Sequence, residues 1–158
     1  MKIVTADYSM ATRSLDIFFS GCLANPKCTD CHNPESWSFD CGKDWTLWKE
    51  YVTKNLQIYH KIIDRIFILG GEPLDQDKNE FKEFINWLDE IRANGILTVP
   101  VYLFTRYELI EIDPDIRNRF EYIKTGAYKP ELSATDNVVY GVRLATSNQT
   151  INKRGKNY

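Results

Sequence analysis

A chain of 158 residues is long enough to bury one sizeable core, and its 43% hydrophobic and 13% aromatic content excludes a disordered segment. A net charge of −2 gives no global basic field to draw it to nucleic acid or to an anionic membrane surface. No apolar run nears the roughly 20 residues that span a bilayer, and Met1–Tyr8 lacks a signal peptide's apolar stretch, so a cytoplasmic protein is expected.

The first strand candidate is Leu15–Ser20, which stops at Gly21-Cys22. Farther on, Leu47, Trp48, Tyr51, Val52, Leu56 and Tyr59 recur with a 3.6-residue period and are expected on one face of a helix. The continuous apolar run Ile66-Phe-Ile-Leu69 reads as a strand buried on both faces of a parallel sheet, ending at Gly70-Gly71. Asp77 and Glu80 form a candidate capping box for a helix whose apolar stripe is Phe81, Phe84, Ile85, Leu88 and Ile91, with Asn94-Gly95 as its stop. Val99–Thr105 reads as the next strand, with Pro100 tolerated near its start. Asp113-Pro114 caps a short helix, and Tyr122–Lys124 and Val138–Ala145 supply further strands. Residues 1–151 are expected to form one domain; the polar stretch 152–158, with Lys153, Arg154 and Lys156, reads as a solvated, frayed tail.

Strands alternating with helices of crossover length predict an α/β fold with parallel strands joined right-handedly. About five repeats are too few for a closed eight-fold barrel of roughly 250 residues, so a partial, open barrel or a doubly wound sheet is expected. Ligands gather at the carboxyl ends of such strands. Gly21-Cys22 and Gly70-Gly71-Glu72-Pro73 both follow strands and should meet on one rim.

Three of the four cysteines, Cys22, Cys28 and Cys31, fall within ten residues as C-x5-C-x2-C. In a reducing compartment clustered thiols are metal ligands more often than disulfides. Three thiolates can hold three irons of a [4Fe–4S] cube and leave the fourth iron open for a substrate or cofactor. A tetrahedral zinc site from Cys28 and Cys31 with His32 or Cys41 is the competing reading. Cys41 is expected to be a spare thiol. Trp37, Trp45, Trp48 and Trp87 read as packing residues. Gly70-Gly71 lets backbone approach a ligand closely, Glu72 can accept a hydrogen bond from an ammonium or hydroxyl, and Pro73 stiffens the turn.

Taken together, these segments resemble the radical S-adenosylmethionine superfamily, and within it the activating enzymes of glycyl-radical proteins. Cys31-His-Asn-Pro-Glu-Ser-Trp37 is similar to the segment after the last cluster cysteine in those activases, and Gly70-Gly-Glu-Pro-Leu74 to their S-adenosylmethionine motif. Val101–Tyr107 resembles a strand ending in a Thr-Gly-Tyr-like turn, Tyr122–Gly126 the next strand end, and Leu144–Gln149 the Ser-Asn-Gln of anaerobic ribonucleotide reductase activating proteins, which the chain resembles most. It departs in the cysteine loop, where relatives have C-x3-C-x2-C. Asp30 stands where an aromatic residue or glycine is common, and Arg106 replaces a common glycine.

The resemblance implies a radical-SAM-type βα barrel, trimmed and open, with one [4Fe–4S] cluster on Cys22, Cys28 and Cys31. It further implies S-adenosylmethionine bound near Asp30, His32, Gly70, Gly71, Glu72, Pro73 and Thr105. No catalytic side chain is implied beyond the cluster and this cofactor: their one-electron cleavage yields a 5′-deoxyadenosyl radical that takes hydrogen from a glycine Cα. The implied partners are a glycyl-radical enzyme as protein substrate, the large subunit of an anaerobic ribonucleotide reductase above others, and an electron donor such as flavodoxin or ferredoxin. Nucleic acid and membrane are not expected. A short barrel leaves one side open to a partner's loop. Short radical enzymes acting on 7-deazapurine precursors, with a pterin-like substrate and magnesium, are a second enzyme class with trimmed barrels; a structural zinc module is the third reading.

Overall fold

The computed structural model describes residues 1–158. Its centre is a seven-stranded sheet built from β1 (Lys2–Ser9), β2 (Ser14–Phe19), β3 (Lys43–Asp44), β4 (Arg65–Gly70), β5 (Val101–Phe104), β6 (Tyr122–Thr125) and β9 (Thr150–Lys153), in the order β3-β1-β2-β4-β5-β6-β9. The inner four, β2, β4, β5 and β6, run parallel, while β1, β3 and β9 add antiparallel edges. The molecule is thus a mixed α/β protein whose central sheet is mostly parallel. Helix α1 (Lys49–Ile58) lies between β3 and β4, α2 (Lys78–Ala93) between β4 and β5, and the single turn α3 (Pro114–Arg117) between β5 and β6. A two-stranded hairpin, β7 (Val138–Val139) and β8 (Val142–Arg143), precedes β9.

Alternation along the inner strands divides the side chains between two faces. Leu15, Ile17, Ile66, Ile68, Val101, Leu103 and Ile123 belong to a core of 24 buried residues shared with α1 and α2. All five expected stripe residues of α2 are buried, and Phe84 meets Phe19 edge-on at 5.1 Å and Trp45 at 5.6 Å. Each such fully buried side chain is worth about 1.5–3 kcal/mol. The opposite face carries Phe67 and Tyr102, closed over by Val142, Leu144 and Ile151. No helix is long and apolar enough to cross a membrane.

Several local expectations are corrected. Only Val52 and Leu56 of the first proposed helix face are buried; Leu47, Tyr51 and Tyr59 are exposed. The reason is a 3-10 turn at Trp45–Trp48, whose tighter winding shifts the phase, and a helix end at Ile58. The capping box at Asp77 is half formed: Asp77 accepts the N–H groups of Asn79 and Glu80 at 3.0 Å, but the Glu80 carboxylate instead takes the buried N-terminal ammonium of Met1. Val138–Ala145 is a tight hairpin rather than one strand, turned by Tyr140-Gly141 with φ of +49° and +74°. The tail is tied down rather than frayed. Asn152 and Lys153 belong to β9, Arg154 donates to the Glu121 carboxylate at 3.3 Å, and the Tyr158 hydroxyl donates to the Phe120 carbonyl at 3.0 Å.

Candidate functional site

Where the parallel strands end, their loops converge as expected. The Glu72 N–H donates to the Gly21 carbonyl at 2.8 Å, and the Gly71 N–H to the Phe19 carbonyl at 2.8 Å. The glycines serve this backbone contact. Gly70 takes a φ of +116°, and a Cβ on Gly71 would sit 2.2 Å from the Gly21 carbonyl oxygen. The segment after Cys31 folds back on the same loop: Gly21 N–H donates to Ser36 O at 2.7 Å and Cys22 N–H to Trp37 O at 3.1 Å.

These contacts wall a cavity of about 330 Å³ over the second face of the sheet. Cys22, Cys28 and Cys31 line one side, Gly70, Gly71 and Glu72 another, and Thr105 and His32 also belong to the lining. The His32 ring is tilted against Tyr128 at 5.8 Å between centroids. Asp30, exposed and with φ of +54°, and the buried Pro73 are outside the lining, as is Cys41.

None of the four cysteines is in a disulfide. All three expected thiols line the cavity, and no three His, Cys, Asp or Glu side chains gather closely enough to hold a single ion. Burial pushes the Cys28 thiol up, with Cys31 and Cys22 adding to the effect, while the Tyr128 amide and the Arg106 charge oppose it.

Glu72 is almost wholly buried and acts as a strut. Its Oε1 accepts from the Thr105 hydroxyl at 2.7 Å and the Leu74 N–H at 3.1 Å, and its Oε2 accepts from the Arg106 N–H at 2.8 Å. Desolvation raises its pKa against those three bonds. Asp75 is a second hub. Its carboxylate accepts from Arg106 at 3.0 and 3.2 Å, from the Tyr107 hydroxyl at 2.6 Å and from the Leu23 N–H at 2.5 Å. Arg106 in place of glycine therefore ties the Thr105–Tyr107 turn, through Asp75, to the loop between the first two cysteines.

Two cavity residues, Lys124 and Trp37, and one residue behind the rim, Asp75, escaped the sequence reading. Lys124 stands next to Phe104 across β5 and β6, buried, with Nζ donating to the Gly126 carbonyl at 2.7 Å and no ion pair. Desolvation lowers it to about 8. A lone lysine inside the apolar stretch Tyr122–Thr125 was the available signal. Asp75 was hidden beside the helix cap Asp77. Trp37 corrects the packing assignment given to all four tryptophans: Trp45 and Trp87 are core, and Trp48 packs against it. Trp37 instead lines the cavity with its indole Nε1–H donating to Cys31 Sγ at 3.3 Å.

An α/β sheet with three thiols at the rim of its parallel strands defines a candidate iron–sulfur protein. A family model described as a 4Fe-4S single cluster domain matches residues 12–153, and the chain belongs to that family. No curated protein and no solved structure matches it.

Proposed function

We propose that this chain is a radical S-adenosylmethionine enzyme that installs a glycyl radical in a partner protein, with Cys22, Cys28 and Cys31 as the three protein ligands of its [4Fe–4S] cluster. The observation that carries the reading is one cavity shared by the three thiols, the Gly70–Glu72 turn and a buried, unpaired Lys124 ammonium. Held by Cys22, Cys28 and Cys31 and by the Gly70–Glu72 turn, the cluster and S-adenosylmethionine would supply one-electron carbon–sulfur cleavage and, from it, hydrogen abstraction at a glycine Cα.

The side chains divide the remaining work. Lys124 offers a desolvated positive charge to the cofactor's carboxylate, where a charge-assisted hydrogen bond is stronger than in water. The Gly70–Glu72 turn, which lines the same cavity, would hold the cofactor's ammonium. Glu72, held by three donors, keeps the Gly70–Glu72 and Thr105–Arg106 turns in register. The sheet, taken as a trimmed radical-SAM-type barrel, keeps β3 and β9 as free edges, which supports access for a polypeptide loop. An anaerobic ribonucleotide reductase is the proposed protein substrate, and a flavodoxin- or ferredoxin-type protein the electron donor.

The test is anaerobic reconstitution with iron and sulfide, followed by EPR of the dithionite-reduced protein with and without S-adenosylmethionine. The expected result is a reduced-cluster signal that shifts on adding the cofactor, then a glycyl-radical signal once a reductase subunit is included. Zinc retained in place of a cluster refutes the proposal. Release of 5′-deoxyadenosine with no glycyl radical on any reductase subunit would redirect it to a small substrate.

A further inference from the structure

We propose that Trp37 tunes the cluster by donating its indole N–H to the Cys31 thiolate, raising the reduction potential. This rests on the reading of Cys31 as a cluster ligand. Among the four cysteines, Cys31 is the one whose sulfur accepts a side-chain hydrogen bond, at 3.3 Å. The donor is held from both ends of its own segment. The Trp37 N–H donates to the Pro34 carbonyl at 3.2 Å, and the Trp37 carbonyl accepts from the Cys22 N–H at 3.1 Å. The indole is therefore positioned by the backbone that also carries the first thiol, and the Lys27 ammonium lies 5.9 Å from its ring centroid.

The chemistry follows from charge. A one-electron reductant adds negative charge to the iron–sulfur core, and the thiolate sulfurs share it. An N–H dipole aimed at one sulfur stabilises the reduced form more than the oxidised form, and hydrogen bonds to sulfur are a recognised lever on cluster potential. An isolated lysine would act similarly, but its charge also attracts anions to the site; a neutral indole tunes the sulfur without that competition. Trp37 is thus a positioning residue acting through Cys31, and it need not touch any substrate.

The experiment compares reconstituted wild-type protein and Trp37→Phe in redox titrations followed by EPR. At the potential that half-reduces the wild type, the reduced-to-oxidised ratio should fall about five- to tenfold in the variant, on the scale of one ordinary hydrogen bond. A tenfold fall corresponds to 59 mV for a one-electron couple. Should Trp37→Phe hold too little iron to titrate, wild-type protein with ¹⁵N-labelled indoles answers instead. Pulsed EPR of its reduced cluster should show one ¹⁵N coupling, because Trp45, Trp48 and Trp87 are outside the cavity. An unchanged ratio with a full cluster, or no ¹⁵N coupling, overturns the role of Trp37 and leaves the proposed function standing. A protein that binds no cluster overturns both.

Discussion

Replacing Gly71 with alanine probes the contact that brings the cysteine loop to the glycine turn. The added Cβ would meet the Gly21 carbonyl oxygen at 2.2 Å, its carbon at 2.7 Å and the Ser36 carbonyl oxygen at 2.8 Å. Carbon–oxygen contacts settle near about 3.3–3.6 Å even when attractive, so the two segments must part by about 1 Å. All three obstructing atoms are main chain, and no side chain can swing aside. That parting stretches the 2.8 Å bond from the Glu72 N–H to the Gly21 carbonyl beyond hydrogen-bond range. Each buried polar group so stranded costs about 1–3 kcal/mol, giving about 2–4 kcal/mol for the pair after partial relaxation. Gly95→Ala is the control. It meets nothing within 4 Å, yet has φ of +72°. Left-handed strain there costs about 1–2 kcal/mol. Anaerobic urea unfolding and iron content per chain form the assay. Gly71→Ala should lose more stability than Gly95→Ala and also lose iron, because Gly21 leads directly into Cys22. A Gly71→Ala protein within about 0.5 kcal/mol of the parent and fully loaded with iron would refute the close-packing argument.

Four further outcomes are expected. Lys124, lowered to about 8 in the fold against an ordinary 10.5, costs stability while charged below pH 8 and stops doing so as pH climbs through about 8 to about 10.5. Stability conferred by the remainder of the molecule should therefore be unmasked across that window, at up to about 1.4 kcal/mol per pH unit. Because Cys28 titrates nearby with the opposite sign, the readout is the difference between wild type and Lys124→Met in urea unfolding; parallel pH profiles would discard the burial argument. In the proposed function the same ammonium holds a carboxylate, so S-adenosylmethionine affinity, measured by EPR titration, should weaken above about pH 8 in the wild type and be weak but nearly pH-independent in Lys124→Met. Asp75→Ala takes the shared acceptor from the part-buried Arg106 guanidinium and Tyr107 hydroxyl and frees the Leu23 N–H to water, and should cost about 2–3 kcal/mol and expose the Leu23–Lys27 loop to limited proteolysis; resistance equal to wild type would show the loop is held elsewhere. Cys41→Ser should leave the iron count unchanged, and any loss would make Cys41 a ligand.

The chemistry of the rim was legible because its signals are local. Cys22, Cys28 and Cys31 stand close in sequence, and Gly70-Gly71 ends an unmistakable apolar strand. The stripe of α2 was equally plain, since its five apolar residues at helical spacing, all buried, describe one surface whatever lies opposite. Edge strands were less legible. β1 buries only Ile3 and Ala6 and β9 only Ile151, without strong apolar runs, and each becomes a strand only by pairing with β2 or β6. Val138–Ala145 has strand-like composition, but Tyr140-Gly141 reverses the chain after two residues.

Sequence alone determined the residue types at the site, the order in which strand ends deliver them and the iron–sulfur character of the chain, because each depends on neighbours along the backbone. Tertiary structure decided which of them face one another. Strand register places Lys124 beside Phe104, and the return of Pro34–Trp37 onto Gly21 and Cys22 brings an indole N–H to Cys31. Asp75 joins Arg106, Tyr107 and Leu23 across three loops. The distances in these groupings are set by hydrogen-bonded register and by the absence of a Cβ at Gly71, which no spacing along the chain encodes.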